Sequence, residues 1–460
     1  SESEYKSGRV LNAAWSQPDR AAVSVDNVTW FQTPTCRKED GAATYRIEVP
    51  ARAFWLAWGP PFLPTHADEV LQSLKSRLPG STVFELAKTR GGRSVQGIRI
   101  GDANKNDAAR YGVWIQARQH AWEAGSSWVG QGFVEWLASD DPAAAKLRRN
   151  ATVFYVPIMD VDNVAMGAGG KDAVPRDHNR DWDDMPHYPE VSAAQKRILK
   201  LNADGNFDVF IDLHNPGGSE RRPYFFGPVN LDKLPAIQQQ NHARWQAFCA
   251  SAISGPLPLE PRYKFATYVK TDEERNRMSA NWVRNHTSSH ILSTTLETVW
   301  NTPHSTQQGY MKVGAQLGTS LSRYLEANPR EQVNQLEVVA SPRVTLAQRE
   351  GITGGGHPVI AGDRVLNFYP NHPDDFGGSN GTASAISTDG GMTWTQGRDN
   401  WPIAGTIDLW AERLRSGDLL AFGIKWVPDP KTRRDAKLPD VPADAYQIAM
   451  SSDRGQSWKL

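Results

Sequence analysis

Hydrophobic and polar residues follow two rhythms along this chain. Near its start, Tyr45, Ile47 and Val49 alternate with polar neighbours, as a half-buried strand requires, and Phe54 to Trp58 runs apolar up to the breaker Gly59-Pro60-Pro61. The spacing of Val70, Leu71, Leu74 and Leu78 predicts a helix across Asp68 to Leu78, and from there strands and helices alternate. Val113, Ile115 and Ala117 lead a strand towards His120, and Trp128, Phe133, Trp136 and Leu137 mark a helix over Ser127 to Ala138. Thr152 to Ile158 is a continuous apolar run of strand length, as in a strand covered on both faces. A helix over Val191 to Asn202 precedes a buried strand from Phe207 to Leu213. Longer helical patterns around Lys233 to Ser254 and Gln307 to Leu325 enclose a strand from His290 to Leu296. Such alternation predicts an α/β layer fold with a largely parallel sheet.

Beyond Gln332 the rhythm changes. Pro, Gly and Asp become frequent, helical periodicity stops, and two near-identical octets occur, Ser387-Thr388-Asp389-Gly390-Gly391-Met392-Thr393-Trp394 and Ser451-Ser452-Asp453-Arg454-Gly455-Gln456-Ser457-Trp458, their Asp residues 64 apart. A repeat at this interval has the scale of a propeller blade. The expected organisation is therefore a small β-domain over 1–58, an α/β domain over 59–330 and a β-rich region over 331–460.

At 460 residues the chain is long enough for two or three domains, and its 51 basic and 51 acidic residues cancel, leaving no electrostatic footprint for nucleic acid or an anionic membrane. Its apolar runs fall short of the ~20 residues a membrane helix needs, so a soluble protein is expected. Ser1-Glu2-Ser3-Glu4 carries neither an initiator Met nor the apolar core of a signal peptide, so a targeting segment is expected to be absent or already removed. Cys36 and Cys249 read equally as buried free thiols or one disulfide, and the compartment, cytoplasmic or secreted and periplasmic, stays open.

Candidate chemistry sits at the C-terminal ends of the predicted strands, where open α/β sheets form their ligand crevices. His120 and Glu123 share one loop, His214 closes Asp212-Leu213-His214, and Glu297 closes Thr295-Leu296-Glu297. Alone, a His-x-x-Glu pair occurs by chance, a lone His after a strand is more often structural, and Glu297 reads equally as a cap or salt-bridge partner. Their order, spacing and shared edge reverse those odds. Two imidazoles and a carboxylate match a catalytic zinc site with an open fourth position, and Glu297 is the candidate to take a proton from the water that the metal activates.

These residues resemble the zinc carboxypeptidases of the carboxypeptidase A type, most closely the cytosolic branch that trims glutamates from protein tails. The resemblance rests on Gln119-His120-Ala121-Trp122-Glu123-Ala124-Gly125-Ser126-Ser127-Trp128-Val129, Asp177-His178-Asn179-Arg180-Asp181-Trp182, Asp212-Leu213-His214 and Thr295-Leu296-Glu297, spanning most of 59–330. Phe54-Trp55-Leu56-Ala57-Trp58 is similar to the end of the small β-domain that precedes the catalytic domain in this branch, here short enough that the chain is expected to begin inside it.

The resemblance implies a mixed, largely parallel sheet with helices on both faces and one zinc ion on His120, Glu123 and His214. It implies Glu297 as the catalytic carboxylate and Asn179-Arg180 as the clamp for the substrate's free α-carboxylate, for which a guanidinium fork is well suited. Otherwise Arg180 would pair with Asp181 or Asp183 at the surface. The branch also has an Arg before its Asn-Arg pair that stabilises the oxyanion. Here Lys171 occupies the counted position and Arg176 lies closer, so that role stays unassigned. Arg284 is the basic residue expected to line a pocket for an acidic terminal side chain.

The expected activity is hydrolysis of the C-terminal peptide or isopeptide-like bond of a peptide or protein. A deacylase or amidase on the same fold is the nearer alternative. The octets resemble the Asp-box of sialidase-type β-propellers, a hairpin motif in which Asp and Ser bond turn backbone and Gly accepts positive φ. Residues 331–460 suffice for about two blades where a propeller needs at least four, so a partial propeller is expected, with the remaining blades on a longer polypeptide or another chain. Its expected role is glycan or protein docking. A sialidase-type glycosidase with the α/β domain as accessory is the distant alternative, for which Arg343 and Arg364 form no convincing arginine set.

Overall fold

A computed structural model describes residues 17–48, 51–101, 110–171, 174–331, 357–370, 382–391, 393–396, 402–403, 406–425 and 446–460. The chain divides into two compact units, Ser1–Val333 and Asn334–Leu460.

The first unit begins with short antiparallel strands: β1 (Ala22–Ser24), β2 (Phe31–Gln32), β3 (Arg37–Glu39), β4 (Ala42–Thr44) and β5 (Trp55–Ala57). The expected strand through Tyr45 and Ile47 is irregular chain, and Val49 lies outside the described residues. The hairpin forms just upstream because Asp40 and Gly41, with φ of +50° and +75°, supply the left-handed pair that a tight two-residue turn requires. In β5, Trp55 and Leu56 are exposed although their run reads as buried, since β5 has only β1 as a sheet neighbour.

The eight-stranded sheet that follows contains β6 (Thr82–Lys88), β7 (Ser94–Ile100), β8 (Tyr111–Ala117), β9 (Ala151–Val156), β10 (Val209–His214), β11 (Tyr224–Gly227), β12 (Lys264–Phe265) and β13 (Leu292–Glu297), in the order β12-β11-β13-β10-β8-β9-β7-β6. The four central strands β13, β10, β8 and β9 are mutually parallel, while β11 runs antiparallel to β13 and β7 antiparallel to β9. The sheet is thus mixed. The helices described in this unit are α1 (Pro64–Arg77), α2 (Ala124–Leu137), α3 (Pro142–Asn150), α4 (Val161–Ala165), α5 (Pro189–Ala203), α6 (Ala236–Ala252), α7 (Asp272–Asn276), α8 (Ser279–His286) and α9 (Gln307–Glu326).

Side chains alternate across a strand, so neighbours on β9 reveal both faces. Tyr155 reaches Ser127 O on α2, whereas Phe154 lies beneath Arg197 of α5, so helices cover both sides. α2 and α9 approach unusually closely: a Cβ on Gly132 would lie 2.2 Å from Met311 O, and one on Gly314 would lie 2.0 Å from Val129 O. Gly314→Ala therefore forces two backbones apart and is expected to destabilise the protein by about 1–3 kcal/mol. Chemical denaturation checks this, and an unchanged midpoint would show that the helices can separate freely.

In the second unit, β14 (His357–Ala361), β15 (Arg364–Pro370), β16 (Thr382–Ser387) and β17 (Thr395–Gln396) form one antiparallel sheet, and β18 (Thr406–Arg413), β19 (Leu419–Lys425) and β20 (Tyr446–Ser451) form another. Leu366, Phe368, Leu409, Leu419 and Ala421 share their core. The octets make equivalent turns. Ser387 and Ser451 donate to Asp389 and Asp453 at 2.7 Å, Gly391 N and Gly455 N donate to those Ser hydroxyls at 2.8 and 2.9 Å, and the Asp carboxylates accept from Thr393 N and Ser457 N. Among the described residues both sheets are open. Arg364 lies on β15, whereas Arg343 and Met392 are outside the described residues. Among the described residues, no helix is long and apolar enough to cross a membrane. Cys36 and Cys249 are free thiols.

Candidate active site

The parallel strands deliver their C-terminal ends to one edge. After β8 the chain turns at Arg118, whose φ of +65° is held by its guanidinium donating to Ala121 O at 2.7 Å and Phe62 O at 2.9 Å. This turn presents His120, and Glu123 follows as the N-cap of α2. His214 ends β10, and Glu297 ends β13 directly opposite it in the parallel register. Ligand atoms of His120, Glu123 and His214 lie within 4.8 Å of one another, and each residue is at most 2% exposed.

The two imidazoles are arranged alike. Nδ1 of His120 and Nδ1 of His214 face the two Glu123 oxygens at 2.8 and 2.7 Å, while their Nε2 atoms face Asp177 and Asp212, each at 2.9 Å. A carboxylate on the outer nitrogen fixes which ring nitrogen is free for a metal, so this donor set fits a zinc ion with its supporting carboxylates. Burial alone would raise the Glu123 carboxyl, yet His120 and His214 hold it well below the usual range. Burial would lower the His214 pKa, but Asp212 and Glu123 raise it well above its ordinary value. Glu297 is pushed up to about 7, mainly by burial and further by Glu123, with His214 and Lys171 opposing. Its Oε2 is buried without a hydrogen-bond partner.

Asn179 and Arg180 lie on a single 3-10 turn, His178–Arg180, capped by Asp177. Asn179 accepts from Ser279 N at 2.9 Å and places its Nδ2 3.3 Å from His214 Nε2. Arg180 pairs with neither Asp181 nor Asp183. Arg176 lies 3.6 Å from the first and 2.5 Å from the second, and Arg277 lies 3.4 Å from Asp183. The Arg180 guanidinium instead donates to Asn179 O at 2.8 Å. Lys171 faces the site: burial opposes its charge, but Glu123, Asp177 and Glu297 raise its pKa.

Arg284, on α8, lines a pocket with Phe226, Met278, Asn281 and Thr295. Thr295 lies two residues before Glu297 on the same strand, so both project from the same side of the sheet. Burial lowers the Arg284 pKa to about 10, and its guanidinium donates to Asn281 Oδ1 at 2.7 Å. No carboxylate pairs with it among the described residues.

Asp177 and Asp212 carry no role in the sequence reading, although both stand within its quoted motifs. The signal for Asp212 was present: two residues before His214 on a strand, it shares the histidine's face. Asp177 had no such periodic signal, because its approach to His120 spans 57 residues.

Residues 67–325 match the zinc carboxypeptidase family. The chain is 24% identical to human cytosolic carboxypeptidase 6 over 397 residues, covering 78% of this chain and 73% of that protein. It is 26% identical to an uncharacterised Zymomonas mobilis protein over 230 residues, covering 48% of this chain and 56% of the relative's length. Among solved structures, a metallo-carboxypeptidase from Burkholderia cenocepacia shares the fold with a TM-score of 0.60 at 23% identity, covering 70% of this chain and 84% of that one. One from Pseudomonas aeruginosa gives 0.57 at 19% identity, covering 68% and 82%.

Proposed function

Because the chain belongs to the zinc carboxypeptidase family, a family of hydrolases, we propose that it removes C-terminal residues from peptides or proteins by Glu297-assisted hydrolysis. The observation that carries this reading is the placement of Glu297 opposite His214, with one carboxylate oxygen unpartnered, beside the His120, Glu123 and His214 cluster. Those three residues would hold a zinc ion, which would supply Lewis acidity for the scissile carbonyl and a lowered pKa for water.

Glu297 takes the proton of the attacking water and returns it to the leaving amine. A carboxyl near pH 7 suits both transfers. Asn179 and Arg180 hold the terminal carboxylate, a role supported by the absence of an Arg180 ion pair with Asp181 or Asp183. Lys171 is better placed than Arg176 to oppose negative charge on the carbonyl oxygen, since Arg176 is committed to Asp181 and Asp183. In the second unit, we read the two turns as parts of propeller blades that dock glycan or protein.

The substrate class follows from Arg284. A half-buried guanidinium without a carboxylate partner is costly, and an anionic ligand relieves that cost. The preferred substrate therefore ends in an acidic residue whose side chain enters the cavity beside Thr295. The test is mass spectrometry of a peptide panel with varied C-termini, including C-terminal amides, incubated with zinc-loaded protein. Trimming of free acidic termini and sparing of amides are expected. Arg284→Ala is expected to lower the preference for acidic over aromatic termini by about 10- to 100-fold, in line with the ~1.5–3 kcal/mol of a charged hydrogen bond. An unchanged preference would remove Arg284 from this account.

A further inference from the structure

The His214 imidazole has two competing partners at Nε2. Asp212 Oδ2 lies 2.9 Å away and can only accept, whereas Asn179 Nδ2 lies 3.3 Å away and can only donate. These neighbours favour opposite tautomers. With Asp212 in control, the proton sits on Nε2 and the Nδ1 lone pair is free. With Asn179 in control, Nε2 accepts and the proton moves to Nδ1, where it blocks a metal.

The surrounding bonds favour Asp212. The Trp182 indole can only donate, and it donates to Gln119 Oε1 at 2.7 Å, which turns the Gln119 amide nitrogen towards Asp212 Oδ2. Ser279 Oγ donates to the same oxygen. Gln119 and Ser279 thus both donate to the Asp212 oxygen that faces His214, which marks that oxygen as an acceptor in a fully buried setting. Ser279 N meanwhile fixes Asn179 by donating to its Oδ1 at 2.9 Å, so the Asn179 amide presents its NH2 towards the site.

We propose that Asp212 is the positioning residue of the metal site: by outcompeting Asn179 for His214 Nε2, it keeps Nδ1 available to the metal and frees the Asn179 amide for the substrate carboxylate. This rests on the carboxypeptidase reading but concerns a residue outside its reacting set. Ser279 couples the two halves, because its hydroxyl serves Asp212 and its backbone nitrogen serves Asn179.

The experiment is a zinc affinity measurement at fixed pH by competition with a chromogenic chelator, using full-length wild type, Asp212→Asn, Asn179→Ala and the double variant. Asp212→Asn keeps the shape but loses the charge and its exclusive acceptor character, and zinc affinity is expected to fall about 10- to 100-fold. Removing the competitor should then help: the double variant is expected to recover most of that loss.

In the native background Asn179→Ala is expected to change zinc affinity less than about threefold while raising KM. A merely structural Asp212 predicts no recovery in the double variant, and that outcome overturns the proposal. So does unchanged zinc affinity in Asp212→Asn. Should Asp212→Asn fail to fold, Asn179→Ala still decides, because a shift above about tenfold in zinc affinity would mean that Asp212 does not control Nε2. Failure of the wild type to bind zinc would instead sink the underlying carboxypeptidase reading.

Discussion

Glu297→Gln is expected to cut peptide hydrolysis by roughly 10²- to 10⁴-fold, the range typical of a lost general base, while zinc content stays at the wild-type level. The substitution preserves size and burial but cannot accept a proton. It also removes the repulsion between Glu297 and Glu123, so stability should hold or rise slightly. Product analysis by mass spectrometry beside metal analysis by plasma emission checks both halves. Retained hydrolysis would mean that another group takes the proton, and lost zinc would mean that Glu297 belongs to the metal's own donor set.

His214→Ala should abolish stoichiometric zinc binding and also lower stability in the absence of metal. The reason lies in the neighbouring charges: without the imidazole, Glu123 Oε2 and Asp212 Oδ2 lose a shared cation while remaining buried. Breaking such a pair costs about 3–5 kcal/mol, although some relief comes if a carboxyl takes up a proton. Denaturant unfolding of both proteins, prepared with chelator, measures the effect. A variant as stable as the wild type would show that water enters the site and solvates the two acids.

Much of the architecture was legible because strand and helix periods are local. The helix expected over Val191 to Asn202 is Pro189–Ala203, and the buried run Thr152 to Ile158 is the strand Ala151–Val156, with the excess taken by the turn after it. The candidate ligands were legible for a topological reason, since parallel strands place their C-terminal ends on one edge. Partnership was less legible. Nothing local distinguishes Arg176, which takes Asp181 and Asp183, from Arg180, four residues on, which does not. The Asp389 and Asp453 turns could be read from composition because their bonds close within six residues, whereas the pairing of whole sheets depends on distant segments.

The glycine contact between α2 and α9 bears on the accuracy of the chemistry as well as on the strength of the fold. Glu123 immediately precedes α2, and Gly132 lies nine residues along from it, about 13 Å at the helical rise. A helix is stiff over that distance, so any tilt caused by widening the Gly132 and Gly314 contact is transmitted to the carboxylate as a displacement. Metal coordination tolerates only a few tenths of an ångström. Two missing side chains, remote from every reacting atom, thus act as the gauge block against which the metal-binding carboxylate is set.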